Sequence, residues 1–181
     1  DKFDNSLPDN VKAHRINADL SDIDTNPGGK LRVLLTAVGG SGQVHGDSGS
    51  GISVSHNQAD FLLKGMSNAL FLQTSRGHAR IDGEFESIDG LSAGKRATRI
   101  ADSITWQSGP FGGQALMAYQ TNRSDLGGPT TKDFSLGARG SYAFTKHFKG
   151  LAEVSTTTRK GAGADQRLSK LTLAGALALS E

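Results

Sequence analysis

Apolar and polar residues alternate along most of the chain. The clearest run starts at Phe134: Phe134, Leu136, Ala138, Gly140, Tyr142 and Phe144 share one face, and Ser135, Gly137, Arg139 and Ser141 share the other. Successive side chains of a strand point to opposite sides, so a period of two predicts a strand with one greasy and one wet face. Leu171, Leu173, Leu177 and Leu179 repeat the pattern opposite Lys170 and Thr172. Ile16, Ala18 and Leu20 alternate with Arg15, Asn17 and Asp19, and Ile52 and Val54 alternate with Ser53 and Ser55. Ile100, Ile104 and Trp106 form a further row, broken by Asp102.

Read this way, the sequence predicts an all-β antiparallel up-and-down meander of about nine strands, near 11–24, 30–40, 51–60, 68–76, 95–107, 112–123, 132–146, 149–159 and 167–180. Several exceed the usual ~5–6 residues and reach the ~9–11 that a tilted membrane crossing needs. The connections alternate in length. Short ones fall at 25–29, 61–67, 108–111 and 146–148, with longer polar ones at 39–50, 77–94, 122–131 and 158–166. Tight turns at one end and longer loops at the other are the rhythm of an outer-membrane barrel. No convincing helix is predicted.

Composition narrows the choice. The chain has 181 residues, 35% hydrophobic, with mean hydropathy −0.37. No apolar run approaches the ~18 residues of a membrane helix. A membrane strand needs only alternate apolar residues, so a β-barrel stays open. Cysteine is absent, which excludes disulfides, thiolate zinc sites and Cys nucleophiles. A net charge of +2, without a basic run interleaved with aromatics, gives no basis for nucleic-acid binding. Asp1-Lys2-Phe3-Asp4 is no signal peptide, so the expectation is a mature, trimmed or internal stretch.

The segments that look like catalytic motifs are incomplete. His45-Gly46-Asp47-Ser48-Gly49 has the look of a serine-protease nucleophile segment but lacks the upstream domain that would place its partners. Gly90 to Arg96 has the wrong spacing for a P-loop. No His pair has metal-ligand spacing, and Asp82, Glu84, Glu86 and Asp89 read as a solvated acidic loop. No enzyme, cofactor or metal is expected.

Several segments resemble the maltoporin (sugar-specific porin) family. They are Asn26-Pro27-Gly28-Gly29-Lys30-Leu31 between two strands, Ile52 to His56 followed by Leu63-Lys64-Gly65-Met66-Ser67, Leu136 to Tyr142 with Glu153 beyond, and Arg167 to Leu179. The set is colinear, with 79–93 the poorest match. The resemblance implies an 18-stranded trimeric barrel in the bacterial outer membrane. Residues 1–181 would form a partial barrel domain, about half the strands, from the middle of the family sequence. It also implies passive diffusion of maltodextrin-like sugars, with sugars, the lipid bilayer and two further copies as partners. A sugar channel needs lumen donors and acceptors for hydroxyls. Arg15, Asp19, Arg99, Arg139 and Glu153 are the candidates, with Asn17, Ser103, Lys170 and Thr172 beside them. The family places one aromatic of its sugar track just after the Leu-Lys-Gly turn, which puts Met66 at that position. Phe134, Tyr142, Phe144 and Tyr119 read as lipid-facing or girdle residues. The alternatives are a general or differently selective porin, or a soluble β-rich binding or adhesion module whose apolar rows pack on a second layer.

Overall fold

The computed structural model describes residues 12–41, 48–83, 94–125, 127–161 and 163–177. These hold β1 (Lys12–Asn26), β2 (Gly29–Ser41), β3 (Gly49–Ala59), β4 (Met66–Gly77), β5 (Lys95–Ser108), β6 (Phe111–Ser124), β7 (Thr131–Ala143), β8 (Phe148–Lys160) and β9 (Gln166–Leu177). All nine lie in one antiparallel sheet in chain order, with β1 and β9 at its edges and no helix among the described residues. The predicted meander is therefore observed. At 11 to 15 residues the strands are longer than those of ordinary globular sheets.

The turns follow from local chemistry. Pro27-Gly28 joins β1 to β2, with Gly28 at φ +79°, where a Cβ would be strained. Between β3 and β4, the Asp60 carboxylate accepts the Gly65 N–H at 2.8 Å and closes a six-residue loop. Gly109-Pro110 joins β5 to β6. The sequence extends β7 to residue 146, but the strand stops at Ala143. Thr145 Oγ1 accepts the N–H groups of His147 (3.1 Å) and Phe148 (3.0 Å), which folds 144–147 into a turn instead. The predicted end of β9 beyond residue 177 lies outside the described residues.

In β1 the alternation slips between Leu20 and Ile23, where Asp22 takes φ 58°. This bulge sets two residues, Ser21 and Asp22, against Arg32 alone, and the one extra residue keeps both Leu20 and Ile23 on the apolar side.

Register turns the alternation into two continuous faces, since directly opposed residues share a side. On one side a row runs Leu20–Val33–Val54–Leu72–Ile100–Tyr119–Phe134 across seven strands. On the other the row runs Asp19–Leu34–Ser53–Gln73–Arg99–Gln120–Asp133–Arg159.

Burial is inverted relative to a water-soluble protein. The apolar side is the open one: on interior strands Leu72 is 49% exposed, Ile100 47% and Leu136 49%. Thr36, Ser55, Gln73, Ser75 and Ser103, all on the polar side, are buried. Buried hydrophobic residues are few and small, Val38, Ala79 and Ala101 among them. No second layer covers the Leu, Phe and Tyr rows among the described residues, and the polar side is the sheltered, inner one.

Two aromatic rows bracket the apolar band. Phe111 opposes Tyr142 near the short turns, and Tyr119 opposes Phe134 eight residues further along each strand. At ~3.4 Å per residue that is about 27 Å along the strand. Gly113/Gly140, Ala115/Ala138 and Met117/Leu136 lie between. At the short-turn end the rings of Phe111, Tyr142, Phe144 and Phe148 form a chain with centroids 4.7, 4.9 and 5.4 Å apart. Asp102, which breaks its row, does sit within the band. Asn68 Nδ2 partners it at 2.6 Å from the adjacent strand.

Candidate functional site

Along the polar face, charges are held in pairs that still present donors and acceptors to the space above the sheet. Arg32 forks onto Asp19, Nε to Oδ1 at 2.9 Å and Nη2 to Oδ2 at 2.5 Å. Arg159 does the same to Asp133, at 2.7 and 2.9 Å. Lys170 Nζ stands 3.5 Å from Glu153 Oε1. Most of these groups are solvent-exposed, so they contribute little to stability. What they supply is a lattice of polar atoms fixed by register.

The centre of that lattice is Gln73. Its Nε2 donates to Ser53 Oγ at 2.8 Å and to the Ile81 carbonyl at 3.1 Å, and its Oε1 accepts Arg99 Nε at 2.7 Å. Asn122 Nδ2 reaches Thr131 Oγ1 at 3.3 Å and Asp133 Oδ2 at 3.4 Å, and Gln114 Nε2 reaches Ser103 Oγ at 3.0 Å.

The Ile81 contact shows what the sequence did not. After β4 the chain turns inward, and His78 to Gly83 lies across the polar face. His78 is fully buried and Ala79 nearly so. Asn17 Nδ2 reaches the Gly83 carbonyl at 3.5 Å, and a Cβ on Gly83 would come within 2.9 Å of Leu34 Cδ2. Arg80 pairs with Asp82 at 2.7 Å. Beneath this segment a cavity of about 590 Å³ is bounded by Ile81, Arg99, Gln120, Asn122 and Arg159, among others. Asp82 of the acidic loop is thus an ion-pair partner, while Glu84, Glu86 and Asp89 lie outside the described residues, as do His45 to Asp47 and Gly90 to Ala93 of the incomplete motifs.

Of the residues singled out from sequence, Arg15, Asp19, Arg99, Arg139 and Glu153 all fall on the polar face. Arg139 and Glu153 are directly opposed across β7 and β8, and Arg15 opposes Val38. They are spread over the sheet rather than gathered at one point. Met66 does not join them. It opposes Trp106 on the apolar side, in one parity with Leu70 and Leu72. The aromatic that does lie on the polar face of β4 is Phe71, between Ser55 and Ala101 on the neighbouring strands. Its odd parity with Gln73 and Ser75 was the available signal.

Among the described residues no group of three or more His, Asp or Glu side chains is arranged to hold a metal ion. An array of fixed hydroxyls, amides and guanidinium–carboxylate forks on one side of a sheet can hydrogen-bond a hydroxyl-rich solute along a path rather than clamp it at one point. The family model described as LamB porin matches residues 1–181. No curated protein matches the chain.

Proposed function

Because the chain belongs to the LamB porin family, a family of outer-membrane sugar channels, we propose that it forms part of the wall of a water-filled pore through which maltodextrin-like sugars diffuse passively. The observation that carries this reading is the inversion of burial: apolar rows open to the outside, polar rows sheltered. Such a sheet places its greasy side on acyl chains and its wet side on a lumen. A soluble binding module would have to cover rows as open as Leu72, Ile100 and Leu136.

In this reading the channel does no bond chemistry. Arg15, Asp19, Arg99, Arg139 and Glu153 line the lumen and exchange hydrogen bonds with sugar hydroxyls, each weak enough for release. The paired charges of Asp19–Arg32 and Asp133–Arg159 offer donor and acceptor side by side, which suits a neutral polyol. Phe71, not Met66, supplies an apolar ring against which a pyranose slides. The inward segment His78–Gly83 narrows the path and brings backbone carbonyls to it. The pore sits in the bacterial outer membrane as a homotrimer.

The test is planar-bilayer conductance of the full-length polypeptide that contains this chain, titrated with maltohexaose. Stepwise channels whose current is blocked by the sugar support the proposal. Conductance without block assigns a general porin instead, and a detergent-free monodisperse protein with no conductance refutes the channel reading altogether.

A further inference from the structure

The outer face is not uniform at its long-loop end. Beyond the apolar row Leu72–Ile100–Tyr119 comes a row of hydroxyls, Thr74–Thr98–Thr121, and beyond that a row of guanidinium groups, Arg76–Arg96–Arg123. Each tier is two residues further along three neighbouring strands, or ~7 Å. On β7 and β8, Lys132 and Lys160 add two cations one tier nearer the apolar row: Lys132 opposes Thr121 on one side and Lys160 on the other. Like charges set directly opposite one another across a sheet repel. Here the register opposes Arg76 to Arg96, Arg96 to Arg123 and Lys132 to Lys160. Asp125 relieves Arg96 at 2.8 Å and Asp165 stands 3.9 Å from Lys160, both from loop positions. Arg76 Nε donates to the neutral Ser50 Oγ at 3.0 Å. A groove of about 640 Å³ runs between these side chains. Its lining includes Arg76, Arg96, Arg123 and Lys132 with four threonines, and no carboxylate among the described residues.

From this gradient we infer that the band is a binding surface for the phosphate groups of membrane lipids. The inference rests on the reading of the apolar face as lipid-facing. The order apolar, hydroxyl, cation repeats that of a phospholipid or phosphorylated glycolipid laid against it: acyl chain, ester and hydroxyl region, phosphate. Guanidinium groups bind phosphate oxygens through paired N–H donors, and an anion between opposed arginines removes their repulsion. The short-turn end carries the Phe111–Tyr142–Phe144–Phe148 ring chain in place of such a band, so the lipid contact differs between the two ends. Arg96 and Arg123 stand at the rim and also border the inner cavity. Arg76 and Lys132 line the outer groove without lining the inner cavity, and are the residues to change.

The full-length polypeptide is reconstituted in phosphatidylcholine vesicles carrying trace spin-labelled phosphatidic acid or spin-labelled phosphatidylcholine, and the protein-immobilised fraction of each is measured. The expected result is a preference for phosphatidic acid of at least about fivefold, the effect of one engaged cation. It should fall toward parity in the Arg76→Gln/Lys132→Gln variant, with immobilised phosphatidylcholine unchanged. Equal immobilisation of the two lipids by the unmodified protein overturns the inference, whether the band is bare or covered by a second copy. A preference erased by millimolar inorganic phosphate overturns it too, since the site would then take the free ion. Immobilisation of neither lipid refutes the membrane reading itself, a separate failure.

Discussion

Arg99 and Gln73 oppose each other across β4 and β5, and their 2.7 Å hydrogen bond leaves the other end of the glutamine amide to hold the Ile81 carbonyl. One side chain therefore couples the wall of the sheet to the segment lying on it. Gln73→Leu removes three hydrogen bonds while keeping bulk, and it strands a largely sheltered carbonyl, a cost of ~1–3 kcal/mol. The expected outcome is faster amide hydrogen exchange at 78–83, by about tenfold or more, with β4 and β5 themselves unaffected. Unchanged exchange there would remove Gln73 as the anchor.

The placement of Phe71 and Met66 on opposite faces predicts opposite mutational behaviour. Phe71→Ala should weaken maltohexaose block of the channel by about tenfold, equivalent to about 1.4 kcal/mol, with ionic conductance retained. Met66→Ala should leave block within about twofold, because Met66 shares the apolar face with Trp106. Titrations of current block on the two variants decide between them, and the reverse ranking would restore Met66 to the sugar path.

How far the sequence could be read depended on parity. The run from Phe134 to Tyr142 alternates without interruption, and β7 was legible to its last three residues because each side chain reports its own face. The same parity placed Arg139, Arg99 and Asp19 on the polar side. Family position, not parity, is what points to Met66. The Asp60–Gly65 loop, which does not alternate, hid the fact that Met66, Leu70 and Leu72 count together. The inward turn after Gly77 left almost no trace. Only Ala79 and Ile81 interrupt an otherwise polar stretch, and what folds them inward is a long-range bond to Gln73, 8 residues from Ile81 in sequence but reached by reversal of the chain.

The Asn68–Asp102 pair lies in the apolar band. Removing one partner leaves the other unmatched, so Asn68→Val should lower the free energy of folding into lipid vesicles by about 1–3 kcal/mol. The double replacement Asn68→Val/Asp102→Val should recover most of that loss, since replacing both members of a desolvated polar pair is close to neutral. Urea-dependent folding into vesicles gives both values, and an additive double loss would contradict this account of the pair.

The two sides of β7 should also differ in their tolerance of charge. Leu136 opposes Met117 between the aromatic rows, and Leu136→Arg should destabilise the membrane-folded state by about 2–4 kcal/mol. Ser135→Arg, one residue earlier and on the polar side, should cost less than about 1 kcal/mol. The same vesicle-folding titration checks the pair, and equal costs would mean that the two sides meet the same medium.

The most direct measurement exploits the absence of cysteine from the chain. Single cysteines at positions 134 to 142, each spin-labelled in lipid vesicles, report collision with oxygen, which concentrates in acyl chains, and with a water-soluble nickel chelate. The account predicts strict alternation: 134, 136, 138, 140 and 142 open to oxygen and closed to nickel, with 135, 137, 139 and 141 the reverse. Even positions as accessible to nickel as odd ones, or closed to both reagents, would contradict it.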